Sequence, residues 1–168
     1  NALEGYLNSQ RFDLIVEPEY FEYALLVYEE YKNKRGIYGV GIVDVAKLAK
    51  YGNVALKETL ADQLECKNTY ARWYVNMLLS KVHCVDDVTQ LRNYPTAITP
   101  TCMLYKNYTA RALNPRIYNK PYWFRGYQDS IKNNWTTIRN ITTRNQTTKS
   151  RTWSSKKYTI FIKKIKCW

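Results

Sequence analysis

Acidic residues are almost confined to the first half of this 168-residue chain, which limits how the two halves can fold. Residues 1–85 contain 10 Lys and Arg against 11 Asp and Glu, whereas residues 86–168 contain 16 against three. The first half can balance its charges within one folded module, but the second half carries +13 and is expected to face a polyanion. The alternative is a solvated basic tail without a particular partner.

A helix is predicted at about residues 18–35. Pro18 is tolerated in a first helical turn, and Gly36 supplies a stop. The last turn is basic, which suits the negative end of the helix dipole. Apolar residues recur at helical spacing, giving a stripe that could serve an assembly contact: Phe21, Ala24, Leu25, Tyr28 and Tyr31. Whether this stripe forms a homodimer or a higher assembly stays open.

Helical periodicity returns after a glycine-rich turn at residues 36–41. It predicts helices at about residues 43–50, 54–64 and 68–82. Beyond Cys84, prolines punctuate short runs rich in Thr, Ile and Tyr, such as residues 96–99 and 102–105, which favour strands. The predicted fold class is therefore α+β and predominantly helical.

The segment from Lys57 to Leu78 has the features of a helix-turn-helix. Ala61 is a small residue at the helix crossing, Leu64 follows one turn later, and residues 65–67 span the turn. The second helix has an apolar inner face at Ala71, Val75 and Leu78. This segment resembles the helix-turn-helix of winged-helix DNA-binding proteins, including small regulators of prokaryotes, archaea and their viruses.

The resemblance covers about residues 37–105 and implies three domains. These are an N-terminal helical segment at 1–36, a three-helix winged-helix-like module at 37–105, and a basic aromatic C-terminal extension with short strands at 106–168. In such a module the second helix lies in the major groove. Its expected DNA contacts, with Asn68 and Arg72 reading bases, are Lys67, Asn68, Thr69, Tyr70, Arg72, Trp73 and Asn76. In a plain helical hairpin, Tyr70 and Trp73 would instead be core residues.

The second half of the chain predicts another kind of contact. Basic residues alternate there with aromatic residues, a mixture that follows phosphates and stacks on bases or sugars. A polar tract with spaced basic residues comes after it and would add salt-dependent affinity. The expected phosphate-binding residues are Lys106, Arg111, Arg116, Arg125, Arg139, Arg144, Arg151, Lys156 and Lys157.

Catalytic and metal sites find little support in the sequence. His83 is the only histidine, and there is no nucleophile motif or paired-carboxylate pattern. The cysteines are spaced too widely for a compact metal site, which favours free buried thiols over disulfides or a metal cluster: Cys66, Cys84, Cys102 and Cys167. We therefore expect no enzymatic activity, no cofactor and no metal.

The expected function is nucleic-acid binding, with double-stranded DNA favoured over RNA and transcriptional regulation as the first role. A structural nucleoprotein, such as a virion coat or chromatin-like protein, is the alternative. A secreted glycosylated protein is the second, because four asparagines precede a threonine by two positions: Asn107, Asn134, Asn140 and Asn145. No run approaches the roughly 20 apolar residues of a membrane span. An intracellular or virion location is favoured over secretion.

Overall fold

Residues 2–118 are described by a computed structural model, which contains four α-helices and two small sheets and is about 47% helical. The α+β class predicted from the sequence is confirmed. The proposed domain boundaries stay a prediction. Six of the predicted phosphate-binding residues lie outside the described residues: Arg125, Arg139, Arg144, Arg151, Lys156 and Lys157.

The four helices are α1 (Ala2–Leu7), α2 (Phe21–Arg35), α3 (Thr69–Leu79) and α4 (Pro115–Tyr118). Helices α2 and α3 confirm the predictions at residues 18–35 and 68–82. A 3-10 turn at Pro18–Tyr20 precedes α2. Gly36 ends it in the left-handed region at φ 63°, where the absence of Cβ removes the steric cost.

Helix α2 is only lightly packed. None of its 15 residues is buried, and Leu26 is 70% exposed. Leu25, predicted to lie on the apolar stripe, is exposed, and the other four stripe residues are half-buried. The Tyr28 hydroxyl donates to the Ile37 carbonyl at 3.2 Å and ties the helix to the loop that follows it. The assembly through this helix stays a prediction.

Two predicted helices do not form. Residues 43–50 contain 3-10 turns at Val45–Lys47 and Ala49–Tyr51, and residues 54–64 form turns. In the second segment, the Leu60 N–H donates to the Val82 carbonyl at 2.8 Å, and Thr59 pairs with His83 in an antiparallel bridge. These long-range hydrogen bonds replace the local ones of a helix. The prediction that residues 54–64 form the first helix of a helix-turn-helix is therefore wrong.

The strands form two sheets. In the first, β1 (Leu14–Ile15) pairs in parallel with β2 (Ile42–Val43). The second contains β3 (His83–Cys84), β4 (Thr96–Ile98), β5 (Met103–Lys106) and β6 (Thr109–Ala112) in that order. Strands β3 and β4 are parallel, and the other pairs are antiparallel. Strands β4 and β5 confirm the strands predicted near residues 96–99 and 102–105.

Helix α3 lies between two apolar clusters. The main core joins α1, the turns at 59–64, the end of α3 and β4 through Leu3, Leu7, Leu60, Ala61, Leu64, Leu79, Val82 and Ile98. The second cluster covers another side of α3 with Val43, Val45, Leu48 and Tyr74. A third cluster packs under β5 through Val85, Leu91 and Ala97. Because α3 is covered from two sides, most of its surface is unavailable to a ligand.

Candidate nucleic-acid interface

The N-terminal end of α3 contains the first three predicted DNA contacts. Asn68 is the N-cap residue, and its side chain accepts a hydrogen bond from the Ala71 N–H at 3.0 Å. This bond satisfies one of the N–H groups that a helix start leaves without a partner. Lys67 and Thr69 are exposed on either side of the cap. The Asn68 side chain is therefore used to begin the helix.

Arg72, the second predicted base reader, binds backbone within the protein. Its guanidinium donates from Nη1 to the Ala61 carbonyl at 3.0 Å and from Nη2 to the Leu64 carbonyl. Both carbonyls belong to the segment that was predicted to be helical. The side chain is half-buried and closes this turn against α3.

Tyr70 and Trp73 pack against the second cluster. Their rings meet edge to face with centroids 5.5 Å apart. The indole Nε1 of Trp73 donates to Asn53 Oδ1 at 2.7 Å. Both aromatic residues are therefore half-buried against this cluster, although no helical hairpin forms because residues 54–64 are turns.

Asn76 lies inside the protein with 2% of its surface exposed. Its Nδ2 donates to the carbonyls of Tyr51, Gly52 and Val54 at 3.2, 2.9 and 3.0 Å. Buried amide groups need such partners, and these three fix the loop that crosses α3. Asn76 therefore acts as a clamp on this loop.

The β5–β6 hairpin presents a different surface. Every residue of β6 is exposed, and Lys106 at the end of β5 is exposed too. Leu104 pairs with Arg111, and Lys106 pairs with Thr109. Since paired residues project to the same side of a sheet, Lys106 and Arg111 share a face and are diagonal neighbours. The Lys106 ammonium also lies 5.8 Å from the centre of the Tyr6 ring.

The turn of this hairpin consists of Asn107 and Tyr108. Both have positive φ, 52° and 60°, the combination found in type I′ turns. Tyr108 is 94% exposed. We call Lys106, Asn107, Tyr108 and Arg111 the hairpin surface. Sequence reasoning counted Tyr108 only as one of many aromatic residues. The signal that could have singled it out is an Asn at the start of a two-residue turn between two strand-like runs.

Positive charge around the hairpin surface has no local compensation. Residues 88–118 contain four basic residues and no acidic one. Within residues 2–118, Lys106, Arg111 and Arg116 form no salt bridge. The Arg116 side chain is exposed in α4. Its backbone N–H donates to Asn114 Oδ1 at 2.9 Å. Three of the predicted phosphate-binding side chains are thus accessible cations.

The described cysteines are free thiols: Cys66, Cys84 and Cys102. Burial, together with the smaller effect of the Asp62 and Asp86 carboxylates, raises the pKa of the Cys84 thiol to about 11. Burial also raises the pKa of Cys66, although the Arg72 charge opposes this. At neutral pH the thiols of Cys66 and Cys84 are protonated and react slowly, because the thiolate is the nucleophile.

Some other kinds of site are not found in residues 2–118. No group of three His, Cys, Asp or Glu side chains there could hold a metal ion. None of the helices in that part of the chain has the length and apolar character needed to cross a membrane. Comparison with protein-family models, curated protein sequences and solved structures finds no match to this chain.

Proposed function

We propose that this protein binds nucleic acid through its phosphates, with the basic side chains of the β5–β6 hairpin as one contact region. The observation that carries the proposal is the exposed pair Lys106 and Arg111 on one face of the sheet, in a stretch of chain without acidic residues. Lysine and arginine without acidic partners attract phosphates and release the counterions condensed on them. Arg116 is a further exposed cation, five residues after Arg111 in the chain.

Contact with phosphates favours the nucleoprotein role over sequence reading by a winged helix. A reader helix needs polar side chains that are free to meet base edges. In α3 those of Asn68, Arg72 and Asn76 are hydrogen-bonded to the protein's own backbone. Releasing them would break the N-cap hydrogen bond, the two hydrogen bonds of Arg72 and the three of Asn76. The proposed mode therefore holds DNA or RNA without reading its sequence.

The test is a salt titration of binding, with the full chain and a short labelled duplex followed by fluorescence anisotropy. The double variant Lys106→Ala, Arg111→Ala should lower the slope of log K against log salt by about two, roughly one for each lost phosphate contact. Two duplexes of equal length and scrambled sequence should bind equally.

The matched control removes two charges elsewhere. Lys57 and Lys81 are exposed near β3, at the edge of the sheet opposite β6. Lys57→Ala with Lys81→Ala should leave the slope close to that of the wild type. The proposal fails if neither a duplex nor a single strand of the same length binds at low salt, or if the hairpin variant and the control have the same slope. A strong preference for one of the two sequences would instead favour the role of a transcriptional regulator.

One observation favours the secreted glycosylated protein as a second candidate. The acceptor Asn107 lies at an exposed turn, where a glycan could be attached without unfolding the sheet. Such a glycan would cover the hairpin surface. The mass of the intact protein from its native source tests this candidate, because the added mass of N-acetylhexosamine and hexose would support it and the unmodified mass would rule it out.

A further inference from the structure

We infer that the hairpin surface binds single-stranded nucleic acid and that Tyr108 is the residue on which an unpaired base stacks. This inference rests on the proposed function. Of the large hydrophobic side chains exposed in residues 2–118, that of Tyr108 is the most exposed, at 94%. Its hydroxyl has no hydrogen-bond partner among those residues. An aromatic ring placed this way contributes little to the folded core.

The backbone at Tyr108 is also unfavourable for its side chain. In a type I′ turn the second position requires positive φ, and glycine is the residue that adopts it without steric cost. Tyr108 adopts a φ of 60° with a full side chain. Neighbouring Asn107, at 52°, is the residue type that such a turn prefers in the first position. Residues held in disfavoured backbone regions concentrate at ligand-binding sites.

The surroundings of the ring fit a nucleic-acid strand. Lys106 precedes the turn, and Arg111 lies on the same face of the hairpin as Lys106. Phosphates held by these two cations would bring the attached nucleotide beside the turn. The ring projects from the tip and is bare, so a base can stack on it without displacing any other side chain.

The geometry favours an unpaired base over a duplex. In a duplex the faces of the bases are covered by their neighbours, and a ring at a hairpin tip meets backbone or base edges. In a single strand each base offers its π face, and stacking on aromatic side chains tolerates any sequence. Tyr108 thus supplies a contact that the phosphate-binding cations do not.

The experiment measures the affinity of the full chain for labelled probes of equal length. The probes are oligothymidylate, oligouridylate, a strand of abasic deoxyribose phosphate, and a duplex. Tyr108→Ala should weaken binding of at least one of the two base-bearing single strands by about 5- to 150-fold, the range expected for one stacked base. Binding to the abasic strand and the duplex should stay unchanged. Tyr108→Phe keeps the ring and should bind like the wild type.

Tyr108→Gly separates binding from folding. Glycine relieves the backbone at this position, so this variant should raise Tm while losing the same affinity as Tyr108→Ala. Equal binding of the wild type and Tyr108→Ala to both single strands would overturn the inference and leave phosphate binding intact. So would an equal loss on the abasic strand, which has no base to stack. If the wild type binds none of the probes at low salt, the proposed function itself fails.

Discussion

Asn76 offers the sharpest test of whether α3 is a reader or a structural helix. Its side-chain amide has two N–H donors, which serve three carbonyls of the loop at 51–54. Each hydrogen bond contributes roughly 0.5–1.5 kcal/mol net, so Asn76→Ala should lower the free energy of unfolding by about 1–3 kcal/mol. Asn76 Oδ1 has no partner among the described residues, so its removal adds no penalty.

Asn76→Asp adds a pH dependence. The carboxyl group would be buried against carbonyl oxygens, and both desolvation and repulsion would raise its folded-state pKa above the unfolded value of about 3.9. The folded state then holds its proton more tightly than the unfolded state. Below about pH 4 this variant should resemble Asn76→Ala. As the pH rises, the variant should lose stability until its folded-state pKa is passed.

Urea unfolding followed by far-UV circular dichroism measures both effects, at acidic and at neutral pH. Asn93, an exposed residue at the end of the 3-10 turn Val88–Asn93, makes no side-chain hydrogen bond within residues 2–118 and supplies the control. Asn93→Ala should stay within about 0.5 kcal/mol of the wild type. If Asn76→Ala is as stable as the wild type but binds DNA poorly, Asn76 contacts bases and its assignment as a structural clamp on the loop is wrong. A loss of stability with unchanged affinity per folded molecule supports the clamp.

Two further changes test the packing around the cores. The Tyr74 hydroxyl donates to Asp13, and burial and this contact raise the Tyr74 pKa, so Tyr74→Phe should cost about 1.5–3 kcal/mol. That contribution is present below the unfolded tyrosine pKa near 10 and is lost above it, so urea unfolding should show wild-type stability falling more steeply than that of the variant at alkaline pH. Gly5→Ala would place a Cβ 2.9 Å from Leu113 and 3.0 Å from Tyr118. Overpacking outweighs the gain in helix propensity there, and Tm should fall by about 4 °C in a thermal scan, whereas a rise would show that α1 has more room.

Local sequence signals predicted the elements whose stability is local. Pro18 and Gly36 bound the α2 region at both ends, and α3 begins at Asn68, a residue type that caps helices. Residues 54–64 have helix formers and helical spacing but pair with residues 82–84 instead. Arg72 stabilises these turns by donating a hydrogen bond to the Ala61 carbonyl, 11 residues earlier in the chain. A local sequence pattern does not encode a contact over that separation.

The predicted DNA contacts on α3 stay a prediction, but the surroundings of this helix differ from those that its sequence pattern indicates. Helical periodicity predicts one inner face, at Ala71, Val75 and Leu78, and leaves the opposite side of the helix free. Residues 43–51 cover that side, and they do so through short 3-10 turns with no regular pattern of their own. The periodicity of a helix shows which face is apolar. It does not show that an irregular segment also packs against the other face.

What separates structural polar residues from ligand-binding ones here is whether the fold already satisfies them. Along α3, residue types suited to base recognition have their hydrogen bonds made within the protein, as at Asn68 and Asn76. On the hairpin surface the cations have no acidic partner among residues 2–118, and the turn accepts a tyrosine where glycine fits better. Natural sequences break local rules mainly at functional sites. Residue type alone favours α3, but unmet bonding capacity and backbone strain favour the hairpin as the proposed contact region for nucleic acid.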